Sequence, residues 1–188
     1  KLYKDALKTV CTDGDEVVID AYSGGGLLTA MIAKKAKRVY GIELEPEASR
    51  CANSLKEKNG LANMTNICGY VEEKLGLVLE KEKGEKLRLI LDPPRAGIAR
   101  SVVKALLASG IPQMTLISCN PATLARDLGI LTGKLIENDM GELVKNPAYD
   151  GVADGEILPG YYEIEKIQPY DMFPQTKHVE TLVCLCKR

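Results

Sequence analysis

Apolar residues along this chain gather in short, dense runs separated by polar breaks rich in glycine and proline. Leu2, Tyr3, Ala6, Leu7 and Val10 recur at helical spacing, so the chain opens on an amphipathic helix. After the Asp13-Gly14-Asp15 turn, Glu16 to Tyr22 reads as a buried strand, followed at once by Ser23-Gly24-Gly25-Gly26 and a helix from Leu27 to about Lys35. The alternation continues with a strand over Lys37 to Ile42 and a helix over Glu45 to Lys58, the latter ended by Asn59-Gly60. A strand near Thr65 to Cys68 leads to a helix from Val71 to about Leu79. The strand Leu87 to Leu91 runs through Asp92-Pro93-Pro94-Arg95 to a helix near Arg100 to Ala108. The apolar run Met114 to Ile117 is a fifth strand, stopping at Ser118, and Pro121 fits the first turn of the helix that follows.

Strands alternating with helices of this length predict βαβ units, and hence a mostly parallel sheet covered on both faces. The pattern breaks after Leu131. Residues from Thr132 to Pro159 carry Asn146-Pro147, Asp150-Gly151, Asp154-Gly155 and Pro159-Gly160, and read as an inserted loop within one domain spanning residues 1–188. Tyr161 to Tyr170 and Val179 to Cys186 read as two closing strands. The expected fold is a doubly wound α/β domain with a seven-stranded sheet whose last strand is antiparallel.

Ligands of such sheets bind beyond the carboxyl ends of the strands. That rule places Asp20 to Gly26, Glu43, Gly69-Tyr70, Asp92 to Arg95 and Cys119 along one rim. Three consecutive glycines let a ligand approach the backbone closely. Thr29 stands where a third dinucleotide-fingerprint glycine would fall, which argues against a dinucleotide. Glu43 follows Gly24 by 19 residues, where a carboxylate can accept from both ribose hydroxyls of a cofactor. Pro93 and Pro94 stiffen the backbone after Asp92 and aim its carboxylate into the cleft. Cys119 sits on a strand-to-helix elbow beside the positive end of a helix, a setting that favours thiolate over thiol.

With 188 residues, 45% hydrophobic and 27% charged, the composition is that of a globular domain. No apolar run approaches membrane-spanning length. The net charge of −1 gives no basic footprint for nucleic acid, so an RNA substrate would be gripped largely by sequence beyond this chain. Lys1 rather than Met at the start suggests a fragment of a longer protein. Six scattered cysteines, with no Cys-x-x-Cys pair, fit reduced thiols in a cytoplasmic protein and no metal site.

Four motifs occur in order: Asp20-x-Tyr22-x-Gly24-x-Gly26, Asp92-Pro93-Pro94-Arg95-Ala96-Gly97, Ser118-Cys119-Asn120-Pro121-Ala122-Thr123-Leu124-Ala125-Arg126-Asp127, and Asp171-Met172-Phe173-Pro174-x-Thr176-x-His178-Val179-Glu180. Together they make the chain resemble the S-adenosylmethionine-dependent RNA uracil-5-methyltransferases, over nearly everything outside the loop at 132–159. The resemblance implies methyl transfer from S-adenosyl-L-methionine to carbon 5 of a uridine in structured RNA, with ribosomal RNA preferred over tRNA. It implies Cys119 as the nucleophile at carbon 6 and Glu180 as the base at carbon 5. Tyr22, Gly24, Gly26, Glu43 and Asp92 would hold the cofactor, with Asp92 alternatively on the uracil ring and Arg95 on substrate. Arg126 and Asp127 would pair or cap near the elbow, and His178 would neighbour Glu180.

The chain departs from the family at Gly69-Tyr70, where an acidic residue near the adenine is usual; Tyr70 would stack there instead. The family's upstream glutamine motif, its frequent RNA-binding barrel and its occasional iron–sulfur cluster have no counterpart in these residues. A monomer is expected. Two other classes compete: an amino-group methyltransferase working through Asp92-Pro93-Pro94, and a non-catalytic RNA-binding module.

Overall fold

The computed structural model describes residues 1–150, 157–172, 174–176 and 179–187. The elements run α1 (Leu2–Val10), β1 (Val17–Ala21), α2 (Leu27–Ala33), β2 (Arg38–Glu43), α3 (Pro46–Lys58), β3 (Met64–Cys68), α4 (Val71–Lys81) and β4 (Leu87–Leu91). They continue with α5 (Arg100–Ser109), β5 (Gln113–Ser118), α6 (Pro121–Leu131), β6 (Leu135–Glu137), β7 (Leu143–Lys145), β8 (Tyr162–Tyr170) and β9 (Glu180–Lys187). Seven strands form one sheet in the order β3-β2-β1-β4-β5-β9-β8. The first five in this order are mutually parallel, whereas β9 is antiparallel to both β5 and β8. The expected fold class is what the chain adopts.

The interior strands β1 and β5 are buried on both faces, which is why they read as continuous apolar runs rather than alternating ones, whereas β3 at the sheet edge is partly exposed. Side-chain alternation then divides the core into two layers. Val18, Ile90, Ile117, Leu182 and Cys184 point to the face covered by α1, α2 and α3. Val17, Ile19, Leu89, Leu91, Met114, Leu116 and Val183 point to the face covered by α4, α5 and α6. Each fully buried Ile or Leu contributes about 1.5–3 kcal/mol relative to exposure, so this two-sided burial fixes the strand register. The helix α1 is tied to the sheet by more than its apolar stripe. Thr9 shares a hydroxyl–hydroxyl hydrogen bond with Thr115 of β5, and the Tyr170 hydroxyl donates to Asp5 Oδ2 over 3.0 Å.

The segment after α6 differs from the plain loop expected there. Its described part forms the β6–β7 hairpin and a single 3-10 turn at Pro147–Tyr149. Strands of three residues are too short to display alternation, so the pattern hides them. The hairpin is seated by Leu135 against Gly129 of α6, where a Cβ would lie 2.7 Å from the leucine Cδ1. Glu137 bridges to Arg100 at 3.1 Å and Lys104 at 3.0 Å on α5. Residues 151–156 lie outside the described part, as do Phe173, Lys177 and His178, so the place expected of His178 beside Glu180 falls outside it too.

Candidate active site

The parallel strands end on loops that hold one another through backbone contacts. Past β1 the chain turns sharply: Tyr22 adopts a left-handed conformation with φ +65°, followed by Gly24 at +54° and Gly26 at +78°. Strict alternation would put Tyr22 on the α1 side with Asp20. The left-handed backbone instead packs its ring against the opposite layer, beside α4 and α5. Burial, reinforced by the charge of Glu72, pushes its phenol up to about 12, while the Ala99 N–H that it accepts works the other way.

Gly26 is required twice over. Its φ suits glycine, and a Cβ there would come within 2.6 Å of Ala52 Cβ on α3. Glu43, at the end of β2, accepts from the Gly24 N–H at 2.7 Å and the Glu45 N–H at 2.8 Å. Two charge-assisted bonds fix this carboxylate at the mouth of the glycine loop. Glu43, Tyr22, Tyr70 and Asp92 border a cleft of about 720 Å³, and nothing would meet a Cβ at Gly24 or Gly25 within 4 Å. Tyr70 and Leu44 expose apolar surface at its margin, 53% and 44% exposed. A nucleoside-sized group with a base for Tyr70 and a ribose for Glu43 fits this donor set and space.

Asp20, Asp92 and Glu180 share the other parity and converge beneath α1. Asp20 is fully buried and accepts from the Thr29 hydroxyl at 2.6 Å. Burial raises its carboxyl to about 7, with the charges of Asp92 and Glu43 adding to the shift. Asp92 is raised to about 6, by burial first and then by Glu180. Tyr3 of α1 closes this pocket. It borders a small recess together with Asp20, Asp92 and the Ser23–Gly25 backbone, and burial and the charges of Asp92, Asp20 and Glu180 raise its phenol. Tyr3 is not among the residues expected at the site from sequence, and Asp20 is expected on the rim with no role assigned to it. Tyr3 lies within the apolar stripe of the first helix and reads there as core; only the way α1 is pinned to the sheet reveals its hydroxyl.

Cys119 lies half-buried between Ser118, which ends β5, and Asn120, which caps α6 by accepting from the Ala122 N–H at 3.1 Å. The Ser118 hydroxyl accepts from the Asn120 N–H and donates to the Asn120 carbonyl, both at 3.2 Å, which tightens the elbow. The last β5–β9 pair is Ser118 with Thr181. Carried one step further, this antiparallel register would set Cys119 against Glu180 at the end of the ladder. Glu180 is near enough to Asp92 to help raise its carboxyl. Arg95 stands apart: its side chain is exposed, and only its carbonyl is engaged by the elbow, accepting from Asn120 and Thr123. Among the described residues, no cluster of His, Cys, Asp and Glu could hold a metal, and no helix is long and apolar enough to cross a membrane.

A seven-stranded sheet of this order, with an acid-anchored glycine loop and an open cleft at its carboxyl rim, defines a Rossmann-like methyltransferase. Within that class the chain belongs to the tRNA (uracil-5-)-methyltransferase family, whose profile matches residues 4–135. It is 36% identical over 185 residues to an uncharacterized RNA methyltransferase of Clostridium acetobutylicum, covering 98% of this chain and 34% of that protein. An uncharacterized RNA methyltransferase of Listeria innocua is also 36% identical, over 190 residues, covering 98% of this chain and 35% of that protein. The chain therefore spans about a third of the length of the curated relatives it matches. Among solved structures it is similar to the Pyrococcus abyssi tRNA (uracil-54, C5)-methyltransferase in complex with S-adenosyl-L-homocysteine, with a TM-score of 0.69 and 27% identity over 98% of this chain and 37% of that one. A Streptococcus thermophilus rRNA methylase shares the fold, with a TM-score of 0.62 at 17% identity over 99% of this chain and 94% of that one.

Proposed function

We propose that this domain transfers a methyl group from S-adenosyl-L-methionine to carbon 5 of a uridine in structured RNA, with ribosomal RNA preferred over tRNA, through a covalent bond between Cys119 and carbon 6. The observation that supports the reading is the antiparallel β5–β9 register, whose last pair, Ser118 with Thr181, makes Cys119 and Glu180 the next residues at the end of the ladder, with Glu180 acting on the Asp92 carboxyl. Uracil carbon 5 is a poor nucleophile until something adds at carbon 6. The Cys119 thiolate forms the S–C6 bond, opening the C5=C6 double bond and moving its electron pair onto carbon 5 and the carbon 4 oxygen. The cofactor supplies a methyl group on a sulfonium, which leaves as a neutral thioether when carbon 5 takes the methyl. Glu180 then removes the carbon 5 proton, the C5=C6 bond re-forms, and the C6–S bond breaks to regenerate the thiolate.

The chain's own groups fit the cofactor as well as the chemistry. Glu43 would accept from the ribose hydroxyls, and Tyr70 would stack on the base. The Gly24–Gly26 backbone and Asp92 would flank the methionine end, where carboxylates complement a sulfonium.

The full-length protein, incubated with S-adenosylmethionine and 5-fluorouridine-containing ribosomal RNA or tRNA, should form a covalent complex. Fluorine at carbon 5 leaves Glu180 no proton to remove, so elimination stops. The bond maps to Cys119 by mass spectrometry. Cys119→Ala should form no complex and lose at least about a thousandfold in turnover. An active Cys119→Ala enzyme would overturn the covalent mechanism and return the site to amino-group transfer through Asp92-Pro93-Pro94.

A further inference from the structure

The segment that leaves β4 is gripped from outside by one face of the elbow helix. The Arg95 carbonyl accepts from Asn120 Nδ2 at 3.1 Å and Thr123 Oγ1 at 3.2 Å. The Ala96 carbonyl accepts from Arg126 Nη2 at 2.9 Å, and Asp127 Oδ2 accepts from the Ile98 N–H at 2.8 Å. Residues 120, 123, 126 and 127 follow helical spacing, so they form one continuous stripe. Arg126 is itself held by Asp127, with Nε at 2.9 Å and Nη2 at 2.6 Å from the same Oδ1. The Asp127 side chain is 2% exposed, and its two oxygens serve different partners, one the guanidinium and the other the backbone.

Gly97 lies between these contacts. At φ +83°, a Cβ there would fall 2.3 Å from Arg126 Nη2 and 2.5 Å from Asp127 Oδ2. The loop and the stripe are therefore in direct contact, with no room for a side chain between them. The same loop, at Asp92, Pro94, Ala96, Gly97 and Ile98, borders the 720 Å³ cleft, and Arg126 borders it too. One backbone segment thus forms both part of the cleft wall and the seat of the elbow helix.

We infer that Arg126 and Asp127 are positioning residues that couple the Cys119 elbow to the cofactor cleft, setting the distance between the nucleophile-bound ring and the methyl donor. This inference rests on the methyl-transfer reading above. Neither residue is placed on the reacting atoms in it: Asp127 acts through the Ile98 N–H and through Arg126, and Arg126 holds the Ala96 carbonyl at the margin of the cleft. Thiol addition needs only the elbow, and carbon 5 hydrogen exchange the elbow with Glu180, whereas methyl transfer needs the elbow and the cleft in register. Misplacement by about 1 Å costs about a hundredfold in a step that depends on alignment.

The test separates the two steps in the full-length protein. Exchange of the uridine carbon 5 hydrogen with solvent, measured without cofactor, reports reversible Cys119 addition and proton removal alone. Methyl transfer, measured with saturating RNA and cofactor, reports the aligned reaction. Asp127→Asn retains an acceptor for Ile98 but loses the ion pair. Arg126→Lys retains charge but loses the fork. Thr123→Val deletes one donor without changing shape, and serves if the other two variants fold poorly. The expected result is a fall of about ten- to a hundredfold in methyl transfer by Asp127→Asn and Arg126→Lys, a smaller fall by Thr123→Val, and hydrogen exchange within about threefold of the parent. Exchange and transfer falling in equal proportion, or transfer unchanged in all folded variants, would overturn the coupling. If the parent protein shows neither exchange nor covalent trapping while Cys119→Ala stays active, the methyl-transfer reading fails instead, independently of the clamp.

Discussion

The two ends of the sheet reach the same rim by opposite routes. In the parallel half, β1, β2 and β4 arrive with their carboxyl ends, and the groups proposed to hold the cofactor lie at or just past them: Tyr22 and the glycines, Glu43 as the last residue of β2, and Asp92. The loops are held by side-chain-to-backbone hydrogen bonds, as where the Glu43 carboxylate accepts from the Gly24 and Glu45 N–H groups. At the other end β9 runs antiparallel, so its second residue, Thr181, pairs with the last residue of β5, Ser118. A parallel β9 would carry Glu180 to the opposite edge of the sheet. The reversal of one strand is what brings the start of β9 to the end of β5. On the proposed mechanism, the parallel half binds the cofactor and the antiparallel junction carries the proton and bond chemistry.

That division can be broken by substitution, and the largest effect should come at the junction. Glu180→Gln keeps size and should leave covalent addition intact while slowing release by about a hundredfold or more. Quenched time courses should then show methylated RNA still attached to Cys119; equal turnover by the variant would remove Glu180 from the base role. Glu43→Gln lies in the parallel half and should do the converse. An amide accepts through one oxygen only, so either Gly24 or Glu45 loses its charged partner, at about 1.5–3 kcal/mol. Calorimetry should read this as cofactor affinity weaker by about ten- to a hundredfold, with hydrogen exchange at uridine carbon 5 retained.

Gly26→Ala probes the same half through its framework. The left-handed φ and the contact with Ala52 should cost about 1–3 kcal/mol in urea unfolding. The smallest effect concerns pH. Asp20 is raised from 3.8 to about 7, so between these values the unfolded chain has ionised while the folded chain keeps its proton. The folded state binds more protons there, so stability falls as pH rises through this window and levels off above it. Asp20→Asn should flatten that slope in urea titrations run from pH 4 to 8; an unchanged slope would assign it to Asp92, raised to about 6, or to another group.

The legibility of the chain follows the same division. Parallel strands buried on both faces appear as apolar runs bounded by turn residues, and each observed strand of the parallel half begins and ends within two residues of its expected span. The antiparallel direction of β9 belongs to the expected fold as a whole and has no signature in the strand's own pattern. Tyr22 illustrates why sites resist pattern reading: one left-handed residue sends its ring to the layer that alternation denies it. Tyr3 was legible as apolar but not as a hydroxyl among carboxylates, because that depends on where α1 docks. Arg126 and Asp127 were expected to pair, and they do, yet their hold on residues 95–98 is a tertiary contact that no spacing encodes. The hairpin at β6–β7 was hidden by its brevity.

The position of β9 also orders events during synthesis. It is an interior strand, supplied by residues that emerge from the ribosome well after β5 is complete. Until then β5 presents an open, apolar edge, and β8 has nowhere to pair. Cys119 and the loops past β1, β2 and β4 are therefore translated before Glu180. Insertion of β9 joins β8 to the parallel strands and brings Glu180 to the end of β5 in one folding event.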